Sequence, residues 1–323
     1  MNTQLKEHIK IIDYTQMPYK YVFSPNIRAL FANVDGVRVE TTIPAYTIKE
    51  IARISEFGLC RTAVVFDSRK SELHRTDIAR EVFGITYKDG RKKMPPKFAK
   101  GIELTKNLLI DSGVSTYYAE GYEADDIIYN LVKMEEQKDV HIDLFTNDSD
   151  LLCLVSPNVT VYFRGAKAYG VSTGATYRGY TIVTPENYQE VLASMSAYRG
   201  YCIPYNSIYL HKLICGDSTD NIPKVRGYGP SRYGDLIAIL QIDRFDFSKA
   251  TPENFEYIMD FLDNYEFTGR DSGVIEHMYK THKVMNYPSL MCNAPQRYQI
   301  GDLSKVCSKY FIHIDLPRNW VGE

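Results

Sequence analysis

The 323-residue chain has no long uninterrupted apolar run. No stretch approaches the roughly 20 apolar residues that span a bilayer. The opening residues, MNTQLKEHIK, also lack the apolar core of a signal peptide. From these absences we expect a soluble, cytoplasmic protein.

Paired cysteines and a large net charge are missing as well. The six cysteines are scattered, without a CxxC pair or zinc-type spacing, and we interpret them as reduced structural thiols. The formal net charge of -2 gives no overall attraction to nucleic acid, so a phosphate-binding surface needs local segregation of charge. A chain of this length can bury a sizeable core in one large domain or a domain with an appendage.

Basic residues are concentrated between residues 69 and 100. This segment contains ten basic residues and four acids, a local charge balance of +6. Those basic residues are Arg69, Lys70, Arg75, Arg80, Lys88, Arg91, Lys92, Lys93, Lys97 and Lys100. The acids that follow the predicted strands lie mostly outside this stretch. The segment is therefore a candidate phosphate-binding surface.

Short apolar runs alternate with helical patterns through the first half of the chain. The strand-like runs are IKII, TAVVF, STYYA, VHIDLF and NVTVYF, and helical patterns cover about 48–57, 98–109 and 123–136. This alternation predicts an α/β fold with a mostly parallel central sheet flanked by helices. Beyond residue 210 the chain has a helical pattern, with a further helical module at about 252–265.

Nine carboxylates stand where a predicted strand ends or a helix begins. They are Asp13, Asp67, Glu123, Asp125, Asp126, Asp148, Asp150, Asp217 and Asp220. Ligand sites of open α/β sheets lie at the carboxyl ends of strands, so we expect these acids to converge. So many converging acids would repel each other unless divalent cations neutralised them, and the pattern predicts a metal site.

Simpler interpretations of single acids stay open. The acids of EADD could complement the dipole of the helix that begins there, and Asp148 could cap a short helix after it. A calcium EF-hand is disfavoured, because Cys153 occupies the sixth loop position, where glycine is required, and no glutamate stands at the twelfth. The number of acids favours the metal site.

The segment GDSTDNIPKVRGYG, from Gly216 to Gly229, is the strongest single motif. Two acids precede a proline turn and a Gly-x-Gly loop whose backbone amides can approach a phosphate closely. Alone, Gly227 and Gly229 could mark only a tight turn between helices. With the acids before it, the motif predicts a helix–hairpin–helix that grips a nucleic-acid backbone.

A tyrosine-rich stretch runs from Arg164 to Tyr209. Its tyrosines lie beside arginines and a lysine, so they could stack bases near bound phosphates. The alternative, which we prefer for most of them, is a β-hairpin insertion with half-buried rings. These tyrosines are Tyr169, Tyr177, Tyr180, Tyr188, Tyr198, Tyr201, Tyr205 and Tyr209.

Taken in order, the motifs resemble the 5′ nuclease superfamily, the flap endonucleases and 5′-3′ exonucleases. This superfamily includes the N-terminal nuclease domain of bacterial DNA polymerase I and standalone bacteriophage enzymes. The resemblance is carried by VVFD at Asp67, TYKDGR with Tyr87, Lys88 and Arg91, EADD at Glu123, TNDSD at Asp148, and GDSTDNIP. It is nearly full-length. Since no polymerase region follows, we expect a standalone, phage-like enzyme in a bacterial cell or a phage-infected host.

The resemblance implies a PIN-like nuclease core over 1–206, with a helical arch at about 69–100 and the tyrosine-rich insertion at 164–206. A helical DNA-binding subdomain with a helix-three-turn-helix would occupy 207–323. The expected activity is structure-specific 5′-3′ exonuclease and flap endonuclease cleavage of DNA or RNA-primed DNA, in replication or repair. We expect a monomer that binds DNA with a 5′ flap or single-stranded 5′ end and works beside replication proteins.

The resemblance also implies roles for single residues. Asp13, Asp67, Glu123, Asp125 and Asp126 would line one side of a centre of two Mg²⁺ or Mn²⁺ ions, roughly 4 Å apart. Asp148, Asp150, Asp217 and Asp220 would line the other. Lys88 would stabilise the scissile phosphate, and a potassium ion would sit at the glycine hairpin. The expected catalytic residues are Lys88, Arg91, Asp67, Asp125 and Asp148. The expected DNA-binding residues are Arg75, Tyr87, Lys88, Arg91, Lys92, Lys93, Lys212, Lys224, Gly227, Gly229, Ser231 and Arg232.

The chain departs from the family pattern at a few positions. Tyr14 follows Asp13 where a small residue is usual, Lys224 replaces a glycine, and Pro230-Ser231 replaces a Lys-Thr type pair. Two other functions remain open: a PIN-type ribonuclease, which should lack the glycine hairpin, and a catalytically silent DNA-binding replication protein. A sugar transferase resting on Asp148 and Asp150 is a more distant alternative.

Overall fold

The computed structural model describes residues 7–15, 17–22, 26–68, 73–89, 94–138, 140–164, 176–263 and 273–315. These residues form two compact units. The described residues of Met1–Ser68, Lys92–Asn147 and Leu290–Glu323 form unit 1, and those of Arg69–Arg91 and Asp148–Ser289 form unit 2. The predicted domain boundary between residues 206 and 207 stays a prediction.

The described residues contain nine strands and eleven α-helices. The strands are β1 (His8–Asp13), β2 (Phe31–Val34), β3 (Val37–Glu40), β4 (Arg61–Val65), β5 (Ser115–Tyr117), β6 (His141–Thr146), β7 (Val159–Phe163), β8 (Thr176–Tyr177) and β9 (Tyr180–Val183). The helices are α1 (Tyr19–Val22), α2 (Thr42–Ile54), α3 (His74–Phe83), α4 (Pro96–Asp111), α5 (Ala124–Glu136), α6 (Tyr188–Ser194), α7 (Ile208–Cys215), α8 (Pro230–Ile242), α9 (Phe255–Asp263), α10 (Val274–Met285) and α11 (Ile300–Ser308). None of the described helices is long and apolar enough to cross a bilayer.

Unit 1 is built on four parallel strands in the order β5-β4-β1-β6. The central strand β1 is buried from Ile9 to Asp13, because its Ile-rich sequence is covered on both faces. The helix α5 packs against β1, β4 and β6, and α4 packs against β5 and α2. The predicted α/β fold with a mostly parallel sheet flanked by helices is confirmed.

Two local features of unit 1 differ from the sequence prediction. The helix α2 begins at Thr42, six residues before the predicted start, because Pro44 is tolerated in the first turn and Ile43, Ile48 and Ile51 bury one face. The hairpin β2–β3 was not predicted. Its turn has positive φ at Asp35 and Gly36, the geometry that an Asp-Gly pair favours in two-residue hairpins.

Unit 2 combines a small antiparallel sheet, in the order β7-β9-β8, with helices. The helix α10 packs against α3, α7 and α9. A buried cluster of Ala79, Tyr87, Ile222 and Val284 joins α3, the turn after it, the segment before α8, and α10. This packing fixes the loop at residue 87 beside the loop at residue 220.

Candidate metal centre and nucleic-acid interface

Asp13 lies at the carboxyl end of β1, where only 4% of it is exposed. Its Oδ1 accepts a hydrogen bond of 3.0 Å from the Thr15 amide, and its Oδ2 accepts one of 2.7 Å from the Thr146 hydroxyl. A buried carboxylate held by two donors has a fixed direction. Thr146, at the end of β6, is a residue whose role the sequence analysis missed, although it is part of the FTNDSD motif.

Tyr14 shows why a large residue is tolerated after Asp13. The ring is fully buried and stacks on Phe66 at a centroid distance of 4.3 Å. Its hydroxyl is 3.1 Å from the Thr47 hydroxyl on α2 and donates a 3.0 Å hydrogen bond to Thr105 on α4. Successive side chains of an extended chain point in opposite directions, so the bulk of Tyr14 enters the core while Asp13 does not.

Four acids of unit 1 lie at the N-terminus of α5. The exposed Asp67, two residues after β4, accepts a 2.8 Å hydrogen bond from the Ala124 amide. Glu123 and Asp126, exposed by 5% and 1%, form a reciprocal capping box, in which the Glu123 amide donates to the Asp126 carboxylate at 2.9 Å. The half-buried Asp125 stands in the same first turn. Glu123 and Asp126 thus cap the helix, a role beyond the dipole interpretation offered for EADD.

In unit 2, Asp148 caps the short 3₁₀ helix Ser149–Leu154, and its Oδ1 accepts a 2.9 Å hydrogen bond from the Asp150 amide. The cap interpretation of Asp148 is therefore realised as well. Capping turns the chain so that Asp150 enters the helix at its first turn. There it meets the acids that follow α7.

Asp150, Asp217 and Asp220 form a close group of carboxylates, which we call the acidic cluster. One oxygen of each lies within 4.8 Å of one oxygen of both others. Asp217 is held by the Thr219 amide at 2.8 Å and the Asp220 amide at 3.2 Å. The cluster offers the hard oxygen ligands that Mg²⁺ and Mn²⁺ prefer.

Lys212 on α7 is the internal counter-ion of this cluster. Only 4% of this lysine is exposed, and its ammonium contacts Asp150 and lies 2.6 Å from Asp217. One ammonium cannot neutralise three acids. Burial, with the nearby charges of Asp148 and Asp217 adding to it, raises the pKa of Asp150 to about 7 against the opposing effect of Lys212. The surplus of negative charge fits a divalent cation.

Tyr87 and Lys88 are fixed beside the acidic cluster. The Tyr87 hydroxyl donates a 2.7 Å hydrogen bond to Asp220, and the Lys88 ammonium is 3.8 Å from the same carboxylate. The Lys88 amide also donates to the Asp220 carbonyl at 3.0 Å, which holds Lys88 at a positive φ of 55°. A second link joins the Asn221 amide group to the Thr86 carbonyl at 2.9 Å.

The other predicted DNA-binding cations of the 69–100 segment divide into two sets. Arg75 is buried, with 8% exposed, and its guanidinium lies over the Tyr287 ring at 5.3 Å, so it packs inside unit 2. Arg91, Lys92 and Lys93 lie outside the described residues. Their predicted catalytic and DNA-binding roles stay predictions.

The predicted helix–hairpin–helix is present between α7 and α8. Gly216 ends α7 with a φ of 67°. Glycine is required at this position, because a side chain there would overlap the Pro223 carbonyl. An Asp217–Ile222 bridge and a 2.8 Å bond from the Val225 amide to the Ile214 carbonyl close the hairpin. Gly227 has a φ of 88°.

The outer surface of this hairpin carries cations and backbone donors. Lys224, Gly227 and Ser231 are exposed, and Arg232 lies over the Tyr228 ring at 5.0 Å. Gly229 precedes Pro230 at the first position of α8, where proline is well suited because that amide needs no helical partner. The Pro-Ser departure from the family pair is thus compatible with the helix start.

The tyrosine-rich stretch is mostly interior. Tyr180, Tyr188, Tyr198 and Tyr209 are buried, and Tyr177, Tyr201 and Tyr205 are partly buried. Tyr169 lies outside the described residues. The β8–β9 hairpin carries only Tyr177 and Tyr180, and the other described tyrosines lie on the helices and loops that follow it. The burial agrees with packed rings, whereas a β-hairpin describes only the beginning of the stretch.

The fold and these residues define an α/β protein with strand-end carboxylates, an acidic cluster and a helix–hairpin–helix. Residues 8–189, more than half of the chain, match the family described as 5'-3' exonuclease, N-terminal resolvase-like domain. The chain belongs to this family.

Curated relatives include DNA polymerase I of Chloroflexus aurantiacus, 33% identical over 246 residues that cover 72% of this chain and 23% of the relative. A 5'-3' exonuclease of Aquifex aeolicus is 28% identical over 187 residues, covering 55% of this chain and 57% of that protein. The chain thus spans about a quarter of the length of the DNA polymerase I relative.

The fold is also that of a solved structure, the bacteriophage T5 flap endonuclease in complex with DNA and metal ions. The two share a TM-score of 0.61 at 15% identity, and the match covers 93% of each chain. A structure of the T5 5'-exonuclease with bound zinc has a TM-score of 0.56 at 16% identity, covering 85% of this chain and 88% of that one.

Proposed function

We propose that the chain is a divalent-metal-dependent 5′ nuclease that hydrolyses phosphodiester bonds at the 5′ ends and 5′ flaps of DNA. The observation that carries this proposal is the acidic cluster with Lys88 and Tyr87 held against Asp220. Membership of the 5'-3' exonuclease family supports it, as does the T5 flap endonuclease fold.

Mg²⁺ or Mn²⁺ is the proposed metal, because the donor set consists of carboxylate oxygens and carries more negative charge than Lys212 can balance. Asp150, Asp217 and Asp220 would hold one ion, with Asp148 beside them. The acids of unit 1, namely Asp13, Asp67, Glu123, Asp125 and Asp126, would serve a second. When bound, such ions activate a water and stabilise charge on the leaving 3′ oxygen.

The chain's own groups then orient and stabilise the phosphate. Lys88 is already constrained by its backbone bond to Asp220, so its ammonium needs little reorganisation to meet developing negative charge. The Lys212 ammonium orients the Asp217 carboxylate, and the Tyr87 hydroxyl orients the Asp220 carboxylate. Arg91 is proposed as a second cation at the phosphate. No side chain is required as a covalent nucleophile.

Substrate selection is proposed to depend on shape. The hairpin with Lys224, Gly227, Gly229, Ser231 and Arg232 would grip duplex backbone, with K⁺ at its carbonyls, while Lys92 and Lys93 would meet a single-stranded 5′ end. Neither contact requires base identity. RNA-primed DNA is a further proposed substrate, and a monomer acting beside replication proteins is the proposed working form.

The test is cleavage of a 5′-flap duplex with Mg²⁺ by wild type and Asp148→Asn. Asparagine keeps the cap acceptor for the Asp150 amide but removes the charge, so we expect folded protein that binds DNA and does not cut it. The exposed Asp302 on α11 provides the matched control, and Asp302→Asn should cut normally.

Other results would overturn the proposal. Undiminished cutting by Asp148→Asn would remove the metal role of that acid, and wild-type binding without cutting would indicate a silent DNA-binding protein. Preferential cleavage of a competing RNA strand would indicate a PIN-type ribonuclease. A blunt duplex cut as quickly as the flap would contradict selection by shape.

A further inference from the structure

Two histidines lie side by side at the amino ends of neighbouring strands in unit 1. His8 begins β1, His141 begins β6, and the two are register partners in the parallel pairing. Their rings are 4.8 Å apart between centroids, and the side chain of His8 is 47% exposed. Asp13 ends the same strand β1, and five residue steps of strand separate it from His8 by roughly 16 Å.

A buried carboxylate completes this group. Asp143 on β6 has a side chain only 4% exposed, and its oxygens lie 3.4 Å from His141 Nε2 and 3.8 Å from His8 Nδ1. Burial alone would raise the pKa of Asp143, but hydrogen bonding from His141 and the charge of Lys10 lower it, so the carboxylate is ionised. One ligand atom of each residue lies within 4.8 Å of the others.

Lys10 is the competing partner of this carboxylate. Its ammonium is 2.7 Å from Asp143 Oδ2 and 3.3 Å from Glu56. Because Glu56 shares the lysine, the two acids and one ammonium leave a surplus negative charge beside two imidazoles. Lys10 and His8 both lie against Oδ2, whereas His141 lies against Oδ1. A cation bound by Oδ1 and His141 would therefore leave the Lys10 contact with Oδ2 in place, and His8 would turn towards it.

The spacing requires only small side-chain movements. Ligands of a tetrahedral zinc site, each at about 2.0–2.2 Å from the metal, are separated from each other by roughly 3.4 Å. Atoms within 4.8 Å of one another therefore need to close by at most about 1.4 Å, and the His141–Asp143 pair is already at 3.4 Å. The partly exposed His8 and His141 have room for that rotation, while buried Asp143 provides the fixed point.

We propose that His8, His141 and Asp143 bind a divalent transition-metal ion of the Zn²⁺ class, at the opposite end of β1 from Asp13. Neutral imidazole with one carboxylate favours Zn²⁺, Co²⁺, Ni²⁺ or Cu²⁺, whereas all-carboxylate sites favour Mg²⁺ or Mn²⁺. The fourth position takes water. Metal bound there links the first residue of β1 to the first residue of β6.

The test is titration of the full chain with Co²⁺ in excess Mg²⁺, which occupies the carboxylate sites. Strong visible absorption bands of Co²⁺ distinguish a four-coordinate site of the histidine type from a six-coordinate site of oxygen ligands, and calorimetry gives the stoichiometry. Wild type should bind one equivalent that His8→Asn and His141→Asn each weaken by about tenfold or more. His313, exposed in unit 1, supplies the control, and His313→Asn should bind as wild type does.

Flap cleavage with Mg²⁺ separates this site from the nuclease. His8→Asn should cut DNA at the wild-type rate while losing the Co²⁺ equivalent. The loss of Co²⁺ binding alone supports the proposal if neither the variant nor wild type cuts flaps. Two results overturn it. One is the absence of a histidine-type Co²⁺ spectrum in wild type, which would leave Lys10 and Asp143 as an ion-pair network. The other is an equivalent that both histidine variants retain.

Discussion

At the scale of single residues, Lys88 combines a constrained backbone with a cationic end. Its amide is bonded to the Asp220 carbonyl, and its side chain, 18% exposed, lies 3.8 Å from the Asp220 carboxylate. A lysine fixed in this way loses little conformational freedom when it meets a phosphate. Preorganised donors stabilise transition states more than ground states.

Lys88→Ala should therefore lower kcat about 10²–10³-fold with little change in KM, because the lost contact acts on developing charge. Steady-state and single-turnover cleavage of a 5′-flap substrate would measure this. Lys224→Ala, on the exposed hairpin, should do the opposite and raise KM with kcat preserved. If Lys88→Ala raised only KM, Lys88 would be a distant phosphate contact.

Tyr14 tests how the core tolerates a large side chain beside a proposed ligand. Tyr14→Phe keeps the ring stacked on Phe66 but leaves the buried Thr47 and Thr105 hydroxyls one partner short, which should cost about 1 kcal/mol of unfolding free energy. Tyr14→Ala should cost about 3–5 kcal/mol through the cavity it creates. Urea unfolding measures both, and equal costs would contradict the packing described.

At the scale of elements, the helix–hairpin–helix depends on the abrupt change of chain direction at Gly216, where α7 ends. Gly216→Ala should cost at least about 2 kcal/mol and weaken duplex binding, because the methyl group meets the Pro223 carbonyl at a positive φ. Gly234, inside α8 with open space around it, is the matched control. Gly234→Ala should stabilise the protein by about 0.5–1 kcal/mol. Similar effects at both positions would contradict this view of the hairpin.

The packing of α7, α9 and α10 should make stability sensitive to acid. His282 on α10 stacks on Phe255 at 3.8 Å and contacts the Tyr209 hydroxyl, and burial lowers its pKa to about 4. The unfolded state, with a pKa near 6.5, takes up the proton first. This stability is therefore complete above pH 6.5 and is lost as pH falls towards 4.

We expect His282→Gln to remove about 2 kcal/mol of the change in unfolding free energy between pH 7 and pH 4. Chemical denaturation at a series of pH values would measure it. His313→Gln, at an exposed histidine, should leave the pH dependence unaltered. His211 is buried among Tyr198, Tyr201 and Tyr233, and its pKa is also lowered to about 4. Part of the pH dependence of the unfolding free energy should therefore remain in every variant.

At the scale of the whole molecule, DNA binding must come from local cations because the net charge is only -2. Affinity should fall steeply with salt, with a slope set by the number of phosphates neutralised. Lys224→Ala should reduce that slope by about 1, whereas Lys305→Ala, exposed on α11, should not change it. Fluorescence anisotropy at several salt concentrations measures the slope, and equal slopes in both variants would exclude the hairpin contact.

The sequence was most informative where the local structure depends on one hydrophobic period, or on a backbone conformation that glycine adopts most readily. The apolar runs of β1, β4 and β6 and the helical period of α5 could be predicted because both describe burial directly. The turn glycine Gly227 of the Gly-x-Gly loop could be predicted, because its positive φ of 88° is a conformation that favours glycine. The acidic cluster was partly predictable, since Asp217 and Asp220 belong to the same sequence motif.

Contacts between distant segments could not be predicted. Nothing near Tyr87 indicates that its hydroxyl bonds to Asp220, 133 residues away, or that Thr146 holds Asp13. The same holds for His8, His141 and Asp143, which only the strand register brings together. Such contacts depend on long-range packing, which local propensity does not contain.

Lys212 gives the acidic cluster a resident cation that belongs to the polypeptide itself. Zinc fingers unfold when a chelator removes their metal, because no group in the chain takes its place. Here an ammonium already sits between Asp150 and Asp217. We therefore expect the protein to stay folded in EDTA. A single metal-free preparation could then be reloaded with Mg²⁺, Mn²⁺ or Ca²⁺, and the three ions could be compared on the same protein.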